Sequence, residues 1–174
     1  MIILGIDPGS RVTGYGLIDN QSNKMSYIDS GFIKVEGEKL AHKLGYIFQQ
    51  ITKVIETHKP QHMAIESVFM HKNADSAIKL GQARGVAICA GHLGGQEVYE
   101  YAPREIKKAV VGGGGALKEQ VKHMVTRLLS IRQDLQSDES DALAIAICHA
   151  QHYSMELKTG LPASAFSSKR KYRR

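Results

Sequence analysis

No apolar run in this chain approaches the roughly 20 residues that a membrane-spanning helix needs, so no integral membrane segment is expected. The N-terminus has no basic region and no cleavage site of the kind a signal peptide carries, because strand-like residues begin at Ile2. Cysteine is scarce. Cys89 and Cys148 stand alone in apolar helical surroundings with no Cys-x-x-Cys spacing, and both read as buried free thiols in a reducing cytoplasm. The body also lacks a charge excess: the chain carries +6, but five of those charges lie in Lys169–Arg174, leaving +1 for the rest. Any nucleic-acid surface on the body must come from local clustering of Lys and Arg.

What is present suits one globular domain. The chain has 174 residues, 43% of them hydrophobic and 23% charged, enough to bury a sizeable core. Its organising stretch is Ile2-Ile3-Leu4-Gly5-Ile6, a strand buried on both faces, followed directly by Asp7. Pro8 and Gly9 force a turn, and Thr13–Ile18 returns as a second strand with small and large residues alternating. Asp7 alone is an ordinary turn residue; it needs partners before it means chemistry.

Met25–Lys34 reads as a third strand. Leu40, Leu44, Ile47, Ile51 and Ile55 then recur at helical spacing up to Pro60, with His42 and His58 on the solvated side. Gln61–Ile65 is a short strand ending at Glu66, the second carboxylate to close an apolar strand. A loop with Phe69 and Met70 leads to an expected N-cap at Asn73 and a helix over Ala74–Ala90. Ala77, Gly81 and Gly85 share one face of that helix, so something packs closely there, either the sheet or a second protomer.

Gln96–Tyr101 is the fifth strand, and a helix from Pro103 to about Ala109 precedes the mobile run Gly112–Gly115. Pro103–Arg127 holds Arg104, Lys107, Lys108, Lys118, Lys122 and Arg127 against Glu105 and Glu119, a local net of +4. That is either a solvated helix face or a phosphate-contacting one, and the bare glycine backbone favours DNA contact. A helix over Val121–Ile131 and a break at Arg132–Gln136 lead to Ser137, an expected N-cap, and a last helix over Asp138–Tyr153. Asp138 and Asp141 are neighbours on one face of it, above the apolar positions Ala142, Ile145 and Ala146. His149 and His152 have the same spacing without a third ligand and read as surface residues. Residues 154–174 are polar, basic and aperiodic, and are expected to form a disordered tail after a 1–153 domain.

Three early strands followed by strands alternating with helices predict a mixed five-stranded α/β sheet with helices on both faces. Such a sheet could bring Asp7 and Glu66 together under the last helix, with Asp138 and Asp141 at the same point. Four carboxylates without a cation repel severely, and a pair of hard divalent ions would resolve the conflict and hydrolyse phosphodiesters.

Gly5-Ile6-Asp7-Pro8-Gly9-Ser10 with Thr13-Gly14-Tyr15-Gly16, Ile65-Glu66 with Phe69, Lys72–Ala77, Gly81-Gln82-Ala83-Arg84-Gly85 and Asp138-x-x-Asp141-Ala142 resemble the RuvC family of bacterial Holliday-junction resolvases over residues 1–150. The resemblance implies a ribonuclease H-like fold, a homodimer, and symmetric cleavage of two opposed strands of a four-way DNA junction. By the same resemblance Asp7, Glu66, Asp138 and Asp141 are catalytic and hold two Mg²⁺, with Mn²⁺ as a substitute. Phe69 would stack on bases, and Lys107 and Lys118 would contact DNA. The branch-migration proteins RuvA and RuvB are its implied partners. Two alternatives stay open on the residues: a junction-binding module without cleavage, and a fragment of an actin-like ATPase, which Asp7-x-Gly9 also resembles.

Overall fold

The computed structural model describes residues 1–21, 24–35, 39–67 and 74–160. The expected five strands form one sheet: β1 (Ile2–Asp7), β2 (Val12–Gln21), β3 (Lys24–Lys34), β4 (His62–Glu66) and β5 (Glu97–Tyr101), in the order β3-β2-β1-β4-β5. β2 runs antiparallel to both β1 and β3, whereas β1, β4 and β5 are mutually parallel. The sheet is therefore mixed, with β1 at its centre.

Among the described residues five helices cover it: α1 (Leu40–His58), α2 (Ala74–Leu93), α3 (Pro103–Val111), α4 (Lys118–Leu128) and α5 (Ser137–Thr159). Because side chains alternate along a strand, the sheet divides the core in two. Leu4, Ile6, Leu17, Met63 and Ile65 pack with Ile47, Ile51 and Ile55 of α1 and Ala83, Ala87 and Ala90 of α2. Ile3, Ile18 and Ala64 face the other way, towards α3, α4 and α5. Gly5 and Asp7 share the side of Ile3, and Glu66 shares that of Ala64. Both strand-end carboxylates thus lie on the α5 face.

Gly5, Gly14 and Gly16 let α5 settle directly on the sheet. A Cβ on Gly5 would stand 2.1 Å from the Ala142 carbonyl oxygen, and one on Gly14 would stand 2.1 Å from that of Asp138. At Gly16 it would meet the Leu143 side chain at 2.7 Å. The alternation of small and large residues in β2 is a docking track for α5.

Several expectations need correcting. α5 continues past Tyr153 to Thr159, so the boundary drawn between residues 153 and 154 falls inside a helix. Its N-cap is Gln136 rather than Ser137, with the Gln136 N–H donating to Glu139 Oε2 at 2.7 Å. α4 begins at Lys118, three residues before the expected start. Cys148 is buried, but Cys89 is exposed, because the outer face of α2 has no covering layer among the described residues. Gly81 and Gly85 also lie away from the sheet: a Cβ at either would meet nothing within 4 Å, which removes the sheet as the reason for them. Asn73 and residues 161–174 lie outside the described residues.

Candidate active site

Asp7 is the last residue of the central strand, opposite Gly14. The turn after it is fastened locally, since Thr13 Oγ1 donates to the Gly9 carbonyl at 3.1 Å and accepts from the Gly9 N–H at 3.3 Å. Glu66 ends the adjacent parallel strand, one residue past the Ile6–Ile65 pair. Its backbone is held from both sides. Arg84 Nε of α2 donates to the Glu66 carbonyl at 3.1 Å, and the next residue, Ser67, donates its N–H to the Tyr101 carbonyl at 2.9 Å. Arg84 also pairs with Glu100. Sequence reading placed Arg84 only within a motif, and no periodicity marks it as a clamp on the Glu66 strand end.

The glycine contacts carry Asp138 and Asp141 to the same place, because Gly14 is both the partner of Asp7 and the seat of the Asp138 backbone. Asp7, Glu66, Asp141, Lys107 and Lys118 line a cleft of about 160 Å³. The electrostatics follow from this crowding. Burial, then Asp141, Glu66 and Asp138 in that order, push the Asp7 carboxyl from 3.8 up to about 8, and Lys118 opposes them. Burial and Asp141 likewise raise Glu66, against Lys118 and Lys107. Lys118 Nζ sits 3.0 Å from Asp141 Oδ2, and that contact raises the Lys118 ammonium in turn.

Thus the four acids share one field, and the two lysines foreseen as DNA-contacting lie beside them. Phe69 lies outside the described residues. Among the described residues no three acidic, His or Cys side chains stand close enough to hold an ion as they are. Lys118, paired with Asp141, supplies part of the positive charge that a bound cation would bring. The donor set, four carboxylates and no nitrogen or sulfur, suits a hard divalent cation.

His149 corrects another expectation. It is buried, because α5 lies between the sheet and α3–α4 and so is covered on its outer side too. One ring nitrogen is 2.8 Å from His62 Nδ1 and the other 2.7 Å from the Tyr101 hydroxyl. Burial pushes it down to about 3, so it is neutral, and each ring nitrogen has a hydrogen-bond partner. His152 is half-buried against the Tyr101 ring.

A five-stranded mixed sheet with carboxylates at the ends of two central parallel strands, and two more on a helix docked across them, defines a ribonuclease H-like nuclease. The family model described as "Crossover junction endodeoxyribonuclease RuvC" matches residues 3–149. The chain belongs to that family, the RuvC crossover junction endodeoxyribonucleases. It is 54% identical over 150 residues to the RuvC of Dichelobacter nodosus, covering 86% of this chain and 85% of that one. It is 51% identical to that of Pseudoalteromonas translucida, covering 94% of each. Among solved structures, Thermus thermophilus RuvC in complex with Holliday junction substrate superposes with a TM-score of 0.83 at 32% identity, covering 89% of this chain and 96% of that one. The ATPase-fragment and binding-only alternatives are not favoured by this membership.

Proposed function

We propose that this chain acts as a homodimer that resolves four-way DNA junctions in the cytoplasm by symmetric hydrolysis of two opposed strands, using two Mg²⁺ per active site, with Mn²⁺ able to substitute. The observation that carries the metal assignment is the convergence of Asp7, Glu66, Asp138 and Asp141, with Asp7 driven up to about 8 by burial and by the other three. Such a set is unfavourable for a scaffold and favourable for a cation site.

Asp7 ends the central strand of the sheet, with Glu66 and the pair on α5 flanking it, and these four carboxylates would hold the ions. Bound there, the ions would supply Lewis-acid polarisation of the scissile phosphate and activation of the attacking water. The chain's own residues do the positioning. Lys107 and Lys118 stand on the cleft wall, where a DNA strand entering it would bring its phosphates, and Lys118 would exchange Asp141 for a phosphate as the ions enter. Phe69, three residues after Glu66 in the sequence, would stack on a base beside the crossover.

A two-fold dimer follows from the need for two coordinated cuts with one site per chain. The open face of α2 at Gly81 and Gly85 is our candidate contact, supported by the room there and the apolar neighbours Leu44, Phe48 and Val86. RuvA and RuvB are the branch-migration partners that family membership leads us to infer. The test is cleavage of a synthetic four-way junction by wild type and Asp7→Asn, with and without Mg²⁺, beside a gel shift. We expect cleavage only by wild type with Mg²⁺, and binding by both. Cleavage by Asp7→Asn at the wild-type rate would overturn the site assignment.

A further inference from the structure

α3 presents cations in two directions. Lys107 points into the acidic cleft, whereas its neighbour Lys108 lines a separate, larger groove of about 650 Å³ behind the helix. Arg104 lies one helical turn from Lys108 on that side, with Cβ atoms about 5–6 Å apart, a spacing that neighbouring phosphates on one strand can match. Gly114 and Gly115 form the groove's end, and Met155 of α5 lies within it. Arg104 and Lys108 are exposed and have no ion-pair partner among the described residues. The groove's acid, Glu105, accepts the Ala102 N–H at 2.9 Å and so caps α3. His152, also in the wall, is pushed down by burial and is an uncharged donor or acceptor.

We propose that this groove is a second DNA-backbone site, in which Arg104 and Lys108 hold phosphates of a junction arm after it has crossed α3 from the cleft. The proposal rests on the nuclease reading above and adds a contact outside the catalytic cleft. Two cations without an ion-pair partner among the described residues, beside an exposed glycine backbone, complement a polyanion, and the adjacency of Lys107 and Lys108 sets the two grooves on either side of one helix ridge. The apolar surface of Met155 and Ala109 suits the deoxyribose faces between the phosphates. An arm anchored there would be held at a fixed angle to the cut.

The experiment measures the salt dependence of junction binding by the full chain. Three variants are compared with wild type: Arg104→Gln/Lys108→Gln, Lys107→Gln as a cleft control, and Gly115→Asp. The last places a negative charge in the groove where an added Cβ meets nothing within 4 Å, so the fold tolerates it. Each is tested on junctions with long arms and with arms too short to pass α3. On long arms the double variant should lose about 1.8 units of log–log salt slope, two contacts at about 0.9 each, and Gly115→Asp should bind several-fold more weakly. On short arms both should match wild type. An unchanged slope in the double variant on long arms overturns the proposal, and leaves the cleft reading standing if Lys107→Gln still lowers the slope. An equal fall on both arm lengths also overturns it, by placing these cations at the crossover itself.

Discussion

Lys118 Nζ and Asp141 Oδ2 are 3.0 Å apart, so the residue proposed to face DNA and one proposed to face metal neutralise each other in the cleft. The Lys118 side chain is 73% exposed, and an exposed pair of this kind contributes at most about 1 kcal/mol. It is easily given up.

Lys118→Met should therefore leave stability nearly unchanged and remove a competitor for the acidic cluster. Thermal stabilisation by Mg²⁺ should reach half its maximum at a lower ion concentration than in wild type. Junction binding should weaken, with a salt slope smaller by about 0.9. Melting curves across a Mg²⁺ series and a salt titration check both. A higher Mg²⁺ requirement would mean that Lys118 supports the site rather than competing for it.

The raised Asp7 carboxyl makes stability depend on pH in a specific direction. Its folded-state value, about 8, lies above its ordinary 3.8, so the folded chain holds a proton that the unfolded chain gives up. In EDTA, stability is fullest at acid pH and falls as pH rises through that window. Glu66, raised for the same reasons, adds to the fall. Asp7→Asn should flatten the profile and equal or exceed wild type at pH 8 in EDTA, and saturating Mg²⁺ should flatten the wild-type profile as well. Melting temperatures from pH 5 to pH 8 test this; wild-type stability rising with pH in EDTA would refute it.

Gly14→Ala tests whether the glycine track sets the site. The new Cβ would lie 2.1 Å from the Asp138 carbonyl oxygen, so α5 must lift or the strand must bend. Overpacking of this kind costs about 1–3 kcal/mol. Junction cleavage should fall far more than that loss of stability accounts for at a temperature where the variant is fully folded, because Asp138 moves with the helix. Wild-type cleavage in a folded variant would show that the site tolerates a displaced α5.

Gly81→Ala and Gly85→Ala should do the opposite. Space is open at both, and replacing an interior helical glycine contributes about 1 kcal/mol of helix stability. If a second chain packs on this face, self-association should weaken while the single chain becomes more stable. Sedimentation over a concentration series, beside melting curves, separates the two effects. An unchanged dimer constant would exclude this face as the interface.

The strands and the acidic set were readable because their signals are local. An apolar run closed by a carboxylate is visible at Ile2–Asp7 and again at Gln61–Glu66, and Asp138 and Asp141 declare themselves by spacing. What the sequence hid depends on layers. His149 looked like a surface residue because helical periodicity records one buried face, and nothing in it foretold that α3 and α4 would cover the other. Cys89 failed in reverse, as a small apolar-looking position on a helix whose outer side stayed bare. Arg84 could not be singled out, since its partner is a backbone carbonyl far along the chain. The end of α5 was missed because Ser154–Thr159 has helical backbone and capping at Gly160 without an apolar stripe.

Two of the four carboxylates ride on α5, which follows every strand of the sheet along the chain, and they reach the other two by docking on Gly5, Gly14 and Gly16. A ribosome that has made the whole sheet has still made only two of the four acids. In the nascent chain the acidic set is incomplete until residues beyond 141 emerge and close on strands already made. Translation order thus puts the assembly of that set last, and a chain truncated before α5 would carry only Asp7 and Glu66 of it.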